Sequence, residues 1–155
     1  MFASVETEFG SFDGLAVMDL YAGSGAIGLE ALSRGAARVV LVESDRKAAE
    51  VIAGNIKVLG MAGATLLTRP AEKVASGDNS AGPFDLVFAD PPYKLETVEL
   101  QEVLTSLRDN GWLADDAVVV VERGKREPWE WPDGFEALRD RKYGEARLWY
   151  GHRHE

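Results

Sequence analysis

A glycine-rich turn between an apolar run and a helix-forming segment constrains the fold of this chain more than any other feature. Residues 15–18 have the length and bulk of a buried strand, and residues 26–33 read as a helix. Between them, Gly23 and Gly25 allow positive φ and a close ligand, while Gly28 lets the helix pack near the strand. The first N–H groups of the helix lack intrahelical partners and face whatever lies over the turn. The pattern predicts a nucleotide-like ligand there.

An acidic residue ends the next apolar run. Residues 39–42 are Val-Val-Leu-Val, and Glu43 follows them, twenty positions after Gly23. A carboxylate at this distance, at the tip of a second strand, is placed to accept hydrogen bonds from a ribose diol. The turn and the carboxylate together predict a fold that binds an adenosine-containing cofactor. They leave open which cofactor it is.

Strand-like and helix-like segments alternate along the chain. We predict strands at 15–20, 38–42, 64–68, 84–89 and 117–121, and helices at 26–33, 45–59, 70–75 and 96–109. Two further strand-like runs, 135–143 and 146–150, are joined as a hairpin by Gly144-Glu145. This order predicts an α/β fold with a mostly parallel, doubly wound sheet, helices on both faces and an antiparallel hairpin at one edge. We expect one domain over residues 1–155.

The tetrapeptide Asp90-Pro91-Pro92-Tyr93 follows the fourth predicted strand, at the edge where such sheets bind ligands. Two prolines fix the backbone and remove two N–H donors, which leaves carbonyls that only accept hydrogen bonds. The Asp90 carboxylate and the Pro91 carbonyl can each accept one N–H of an aromatic amine, and Tyr93 can stack on its ring. We therefore interpret the tetrapeptide as a binding site for an aromatic amine rather than as an ordinary proline turn.

The overall composition limits the other functions. With 17 basic and 26 acidic residues, the chain lacks the positive surface that clamps a phosphate backbone, so nucleic-acid contacts would need a local patch or a further segment. The absence of cysteine excludes disulfides and thiolate metal sites. His152 and His154 are expected to be a solvated tail without a metal. No apolar run is long enough to span a membrane, and we expect a cytoplasmic protein.

These motifs resemble those of class I S-adenosylmethionine-dependent methyltransferases. More narrowly, residues 17–36, 90–93 and 141–148 are similar to the RsmD family, which methylates the exocyclic N2 of one guanine in 16S ribosomal RNA. The resemblance covers nearly the whole chain. It implies a Rossmann-like sheet of seven strands with the last antiparallel, S-adenosylmethionine as cofactor, the 30S subunit as partner and a monomer without metal.

The resemblance also assigns residues to roles. It implies that Asp90, Pro91, Pro92 and Tyr93 hold the target amine. The turn would wrap the methionine part of the cofactor, Glu43 would hold the ribose, and the backbone near Pro70 would edge the adenine. The implied cofactor-binding residues are Asp19, Tyr21, Ala22, Gly23, Ser24, Gly25, Gly28, Glu43, Ser44, Pro70, Ala71 and Asp90.

The chain departs from the family pattern in two places. Many relatives have an acidic or polar residue after the third strand, where this chain has Arg69-Pro70-Ala71, so Glu72 or a backbone carbonyl would have to meet the adenine amine. The basic N-terminal segment of the family is also missing, and residues 1–8 resemble the end of a helix cut from something longer. We therefore expect weaker RNA binding than in a complete relative.

The segment after residue 121 is rich in basic and aromatic residues. Trp129 and Trp131 flank Glu130, and we favour a hydrophobic clasp over base stacking for them. A phosphate-binding patch and a solvated edge are equally compatible with the basic residues. These are Arg123, Lys125, Arg126, Arg139, Arg141 and Lys142.

Three other functions share parts of this pattern. A DNA adenine-N6 methyltransferase would use the same acceptor tetrapeptide, although the chain has no room for a separate target-recognition domain. A non-catalytic cofactor- or RNA-binding module would need no Asp90. A nicotinamide dehydrogenase would use the glycine-rich turn, but no hydride-transfer site is recognisable.

Overall fold

Seven strands form one sheet in the order β3-β2-β1-β4-β5-β7-β6 in the computed structural model, which describes residues 10–60, 62–79 and 82–154. Strand β7 is antiparallel to both of its neighbours, and the other neighbouring strands run parallel. The strands are β1 Ala16–Leu20, β2 Arg38–Val42, β3 Ala64–Leu67, β4 Phe84–Ala89, β5 Leu113–Gly124, β6 Phe135–Tyr143 and β7 Ala146–Arg153. The seven-stranded, mostly parallel sheet predicted from the sequence is confirmed.

In the described part of the chain, four helices connect these strands and cover both faces of the sheet. Side chains alternate along each central strand, so Val17 packs with the helices of one face and Met18 with those of the other. Helices α1 and α2 cover the face that contains Val17, and helices α3 and α4 cover the face that contains Met18. The helices are α1 Ala26–Ser33, α2 Arg46–Leu59, α3 Ala71–Ala75 and α4 Thr97–Asp109.

The helix ends follow from local chemistry. The Asp45 carboxylate accepts a hydrogen bond from the Ala48 N–H at 2.9 Å, as predicted for the cap of α2. Gly60 ends that helix in the left-handed conformation with φ 62°. Helix α4 begins with a reciprocal capping box between Glu96 and Glu99.

The sheet extends beyond two of the predicted strands. Strand β5 begins at Leu113 and ends at Gly124, because it pairs with β4 at its start and with β7 up to its last residue. The sequence analysis predicted only the apolar residues 117–121 of β5, because the residues near each end of the strand are polar. Strand β7 runs to Arg153, so the prediction that His152 lies in a solvated tail was wrong: it pairs with Val118 within the sheet. The helix end expected at residues 1–8 lies outside the described residues.

Within the described ranges, no helix combines the length and apolar character needed to cross a membrane.

Candidate functional site at the carboxyl edge of the sheet

The glycine-rich turn is shaped by its own backbone and by a buried carboxylate. Gly23 and Gly25 have φ 60° and 83°, which confirms the predicted positive φ at both. The Asp19 carboxylate at the end of β1 accepts a hydrogen bond from the Gly28 N–H at 2.9 Å. A Cβ on Gly28 would lie 3.0 Å from the side chains of both Val39 and Leu41. Gly28 therefore lets α1 pack close to the sheet, as predicted.

Glu43 fastens the second strand to this turn. One of its carboxylate oxygens accepts the Gly23 N–H at 2.7 Å, and the other accepts the Asp45 N–H at 2.8 Å. Each carboxylate oxygen has a second lone pair available. The residue thus holds the turn in place and can still accept hydrogen bonds from a ligand above it.

A cavity of about 550 Å³ opens above the turn, and we call it the glycine-turn cavity. It contains most of the residues that the resemblance assigned to the cofactor. Asp19, Gly25 and Gly28 are buried and do not line it, and Ala22 and Ser24 belong to the turn but not to the cavity wall. The wall consists of Tyr21, Gly23, Val42, Glu43, Ser44, Arg69, Pro70, Ala71, Glu72, Asp90, Pro91, Pro92 and Leu95.

Tyr21 holds an unusual conformation at this cavity. Its φ is 61°, a left-handed value that is uncommon for a residue with a side chain. Its hydroxyl is buried without a hydrogen-bond partner among the described residues. Burial, with Glu72 and Glu99 nearby, raises the pKa of this hydroxyl above its ordinary value, so it stays protonated and can donate.

Negative charge concentrates around the glycine-turn cavity. Burial raises the pKa of the Asp19 carboxyl to about 7; the Gly28 N–H lowers it, and Asp90 and Glu43 raise it further. Carboxylates of Glu43, Glu72 and Asp90 line the wall, with Arg69 as the cation among the lining residues. This wall suits a ligand with positive charge, such as the sulfonium and ammonium groups of S-adenosylmethionine. It disfavours the anionic pyrophosphate of a nicotinamide cofactor. The residues present therefore fit S-adenosylmethionine.

Asp90 and Pro91 stand between the glycine-turn cavity and a second one. The second, which we call the Asp90 cavity, measures about 330 Å³. Pro91 is buried, whereas the Tyr93 side chain is 81% exposed at the mouth, open to a stacking partner. The lining residues of the Asp90 cavity are Asp90, Pro91, Tyr93, Glu122, Arg123, Gly124, Glu127, Tyr143, Glu145 and Ala146.

The carboxyl groups of Asp90 and Glu122 form a hydrogen-bonded pair in this cavity. Burial raises the pKa of both groups; the proximity of Asp90 raises that of Glu122 further, and the shared hydrogen bond partly offsets the rise at Asp90. The sequence analysis did not single out Glu122. The signal was there, because Glu122 ends a valine run just as Glu43 ends the run of β2.

Arg123 does not serve as a free phosphate ligand. Its side chain is buried, contacts the Glu127 carboxylate at 2.6 Å and donates to the Leu95 carbonyl at 3.0 Å. Arg123 instead fixes the segment after Asp90 against the end of β5. The other sequence-predicted basic residues divide: Lys125 and Arg126 lie beside the Asp90 cavity, while Arg139, Arg141 and Lys142 lie on β6.

A groove of about 770 Å³ adjoins the Asp90 cavity and shares Glu127 with it. We call it the tryptophan groove. Trp129 is buried and packs edge-on against Trp131 at 5.4 Å, which confirms the predicted hydrophobic clasp for this pair. The groove is lined by Thr97, Val98, Gln101, Lys125, Arg126, Glu127, Pro128, Trp129, Glu130, Arg147 and Trp149.

Comparison with known proteins gives consistent matches over this fold. Residues 1–152 match the family described as conserved hypothetical protein 95. The ribosomal RNA small subunit methyltransferase D of Escherichia coli K12 is 40% identical over 105 residues, which cover 68% of this chain and 51% of that protein. The chain thus spans about half the length of this relative.

Solved structures extend the comparison. The Escherichia coli protein yhhF superposes with a TM-score of 0.87 at 30% identity, over 99% of this chain and 85% of that one. Magnesium protoporphyrin IX methyltransferase from Synechocystis PCC 6803, solved with bound S-adenosylmethionine, gives 0.73 at 19% identity over 97% and 75% of the two chains. The second likeness concerns the fold alone.

Proposed function

The chain belongs to the conserved hypothetical protein 95 family, and from that membership and the site we propose that it is an S-adenosylmethionine-dependent methyltransferase. We propose the exocyclic N2 of a guanine in 16S ribosomal RNA as the methyl acceptor, on the 30S subunit or its precursor in the cytoplasm. The name of the 40% identical relative supports the RNA substrate, and the acceptor tetrapeptide supports an exocyclic amine.

One observation carries this proposal: Asp90 and Pro91 belong to the walls of both cavities. A group bound in the Asp90 cavity therefore lies next to a ligand bound in the glycine-turn cavity, with Asp90 and Pro91 at the boundary between them. Methyl transfer needs chiefly such positioning, because an in-line approach of acceptor to donor supplies much of the rate enhancement.

One set of residues binds the methyl donor, and another set orients the acceptor amine. S-adenosylmethionine supplies an electrophilic methyl group on a sulfonium. Gly23 and Glu43 would bind that ligand in the glycine-turn cavity. The Asp90 carboxylate and the Pro91 carbonyl accept hydrogen bonds from the two amine hydrogens. These hydrogen bonds localise the nitrogen lone pair and direct it toward the glycine-turn cavity. The amine becomes acidic as it is alkylated, so a carboxylate suffices to take its proton.

The tryptophan groove offers the local patch that an acidic protein needs to hold RNA. Arg126 is exposed in it, and Lys125 and Arg147 also line it, in ion pairs with Glu145 and Asp140. Cationic side chains along a groove suit the phosphates of a nucleic-acid strand. The groove and the Asp90 cavity share Glu127 in their linings, so a strand lying in the groove can deliver an unstacked base to Tyr93.

The experiment that tests the proposal measures transfer of labelled methyl groups from S-adenosylmethionine. The purified chain is given 30S particles from a strain lacking the gene, free 16S RNA or duplex DNA, and mass spectrometry locates the product. We expect N2-methylguanine at one site of the RNA. Label found only in duplex DNA, or on no nucleic acid, would contradict the proposal.

A further inference from the structure

We propose that Glu122 selects guanine by accepting the N1–H of the target base beside the amine that Asp90 holds. This inference rests on the proposed function and assigns its substrate specificity to one residue.

Strand pairing places the two carboxylates side by side. Ala89 at the end of β4 is in register with Val121 of β5, and the strands are parallel. The next residue of each strand, Asp90 and Glu122, therefore reaches the same edge of the sheet. Both side chains line the Asp90 cavity, and their carboxyl groups are in hydrogen-bond contact.

The neighbouring cationic side chains interact with groups other than Glu122. Arg123, the adjacent cation, is turned to the Glu127 carboxylate and the Leu95 carbonyl. Lys125 contacts Glu145 at 3.1 Å. Neither interaction involves Glu122, whose side chain interacts with Asp90 in the same cavity. A half-buried carboxyl paired with another carboxyl is costly, and donors from a ligand would relieve that cost.

The donor pattern of guanine matches this pair. Its Watson–Crick edge presents N1–H and N2–H₂ side by side, and the neighbouring carboxyl groups of Asp90 and Glu122 offer two adjacent acceptors. With N2 at Asp90, the N1–H falls to Glu122. Adenine, with its N6 amine at Asp90, would turn the N1 lone pair toward Glu122. Either two acceptors would then face each other, or Glu122 would have to withdraw from Asp90 the proton that the pair shares, and both arrangements disfavour adenine.

The test compares two RNA substrates that differ at the target base. One carries guanine at the site mapped by mass spectrometry, and the other carries 2-aminopurine, which keeps the N2 amine but has a bare N1. Wild type and Glu122→Gln are assayed on both, and the ratio of kcat/KM values is taken within each protein. That ratio does not depend on the folded fraction of a variant.

We expect wild type to prefer guanine at least a hundredfold. Glu122→Gln should lose at least tenfold on guanine and narrow the preference at least tenfold, because its amide can donate to the bare N1. Glu50→Gln, an exposed substitution on α2, should keep the wild-type preference. The same preference in Glu122→Gln as in wild type would overturn the role of Glu122 alone. Transfer by wild type only to adenine, or to no base, would overturn both the role and the proposed function.

Discussion

The glycine-turn cavity is held by short, mostly backbone contacts, whereas the Asp90 cavity is assembled from side chains of four strands. In the first, Asp19 and Glu43 bind backbone N–H groups of the turn directly. In the second, Asp90 follows β4, Glu122 lies on β5, Tyr143 ends β6 and Ala146 begins β7. A backbone-held cradle is preorganised for a constant ligand, and a side-chain wall can be retuned for different bases.

The largest effect that we expect lies on the glycine-turn side and concerns the pH dependence of stability. Asp19 has a pKa of about 7 in the folded protein against 3.8 as its ordinary value. As pH rises through this window, the unfolded chain loses the proton first, so the free energy of unfolding falls, by at most roughly 4 kcal/mol. Asp19→Asn removes this titration and should flatten the decline between pH 4 and 8. Denaturant unfolding at several pH values measures it.

The raised pKa values of Asp90 and Glu122 act in the same direction and remain in that variant. A residual decline is therefore expected in Asp19→Asn. A decline equal to that of the wild type would show that Asp19 does not carry the buried charge.

The second effect lies on the Asp90 side and concerns methyl transfer. Asp90→Ala should lower kcat at least a hundredfold, about 2.7 kcal/mol in activation free energy, because the amine is no longer oriented. Affinity for S-adenosylhomocysteine, measured by calorimetry, should stay nearly unchanged, since the backbone-held contacts of Gly23 and Glu43 remain. Asp115→Ala, an exposed change at the far end of β5, is the matched control. Unimpaired transfer by Asp90→Ala would favour a non-catalytic binding module.

This division also explains what the sequence could predict. The turn was readable because Gly23, Gly25 and Glu43 act through nearby backbone, which leaves a fixed spacing in the chain. Glu122 was missed although its position after a valine run was visible in the sequence, because only the pairing of β4 with β5 places it beside Asp90. Arg123 was misjudged for a related reason: its ion pair with Glu127 and its burial under residues 95–97 exist only in the folded sheet.

A third effect tests whether the turn depends on close packing. Gly28→Ala should destabilise the fold by about 1–3 kcal/mol, because the new methyl group meets Val39, Leu41 and the Asp19 carboxylate at 3.0–3.1 Å. Gly54→Ala lies in the middle of α2 with nothing within 4 Å, and should stabilise by about 0.5–1 kcal/mol. Thermal melts of both variants measure the contrast. Equal shifts in both would mean that helix propensity alone decides.

The smallest effect concerns the tryptophan groove and distinguishes a direct phosphate contact from general charge. Arg126 is exposed and lines this groove, so Arg126→Gln should reduce affinity for 16S RNA severalfold and lower the salt-dependence slope by about 0.7, the share of one contact on single-stranded RNA. Lys57→Gln removes the same charge from the exposed end of α2, which contributes no residue to the groove. Filter binding across a salt series should show the full slope for Lys57→Gln. If both variants lose the same slope, the groove is not where the RNA backbone lies, and the wall that selects the base must be approached from another side.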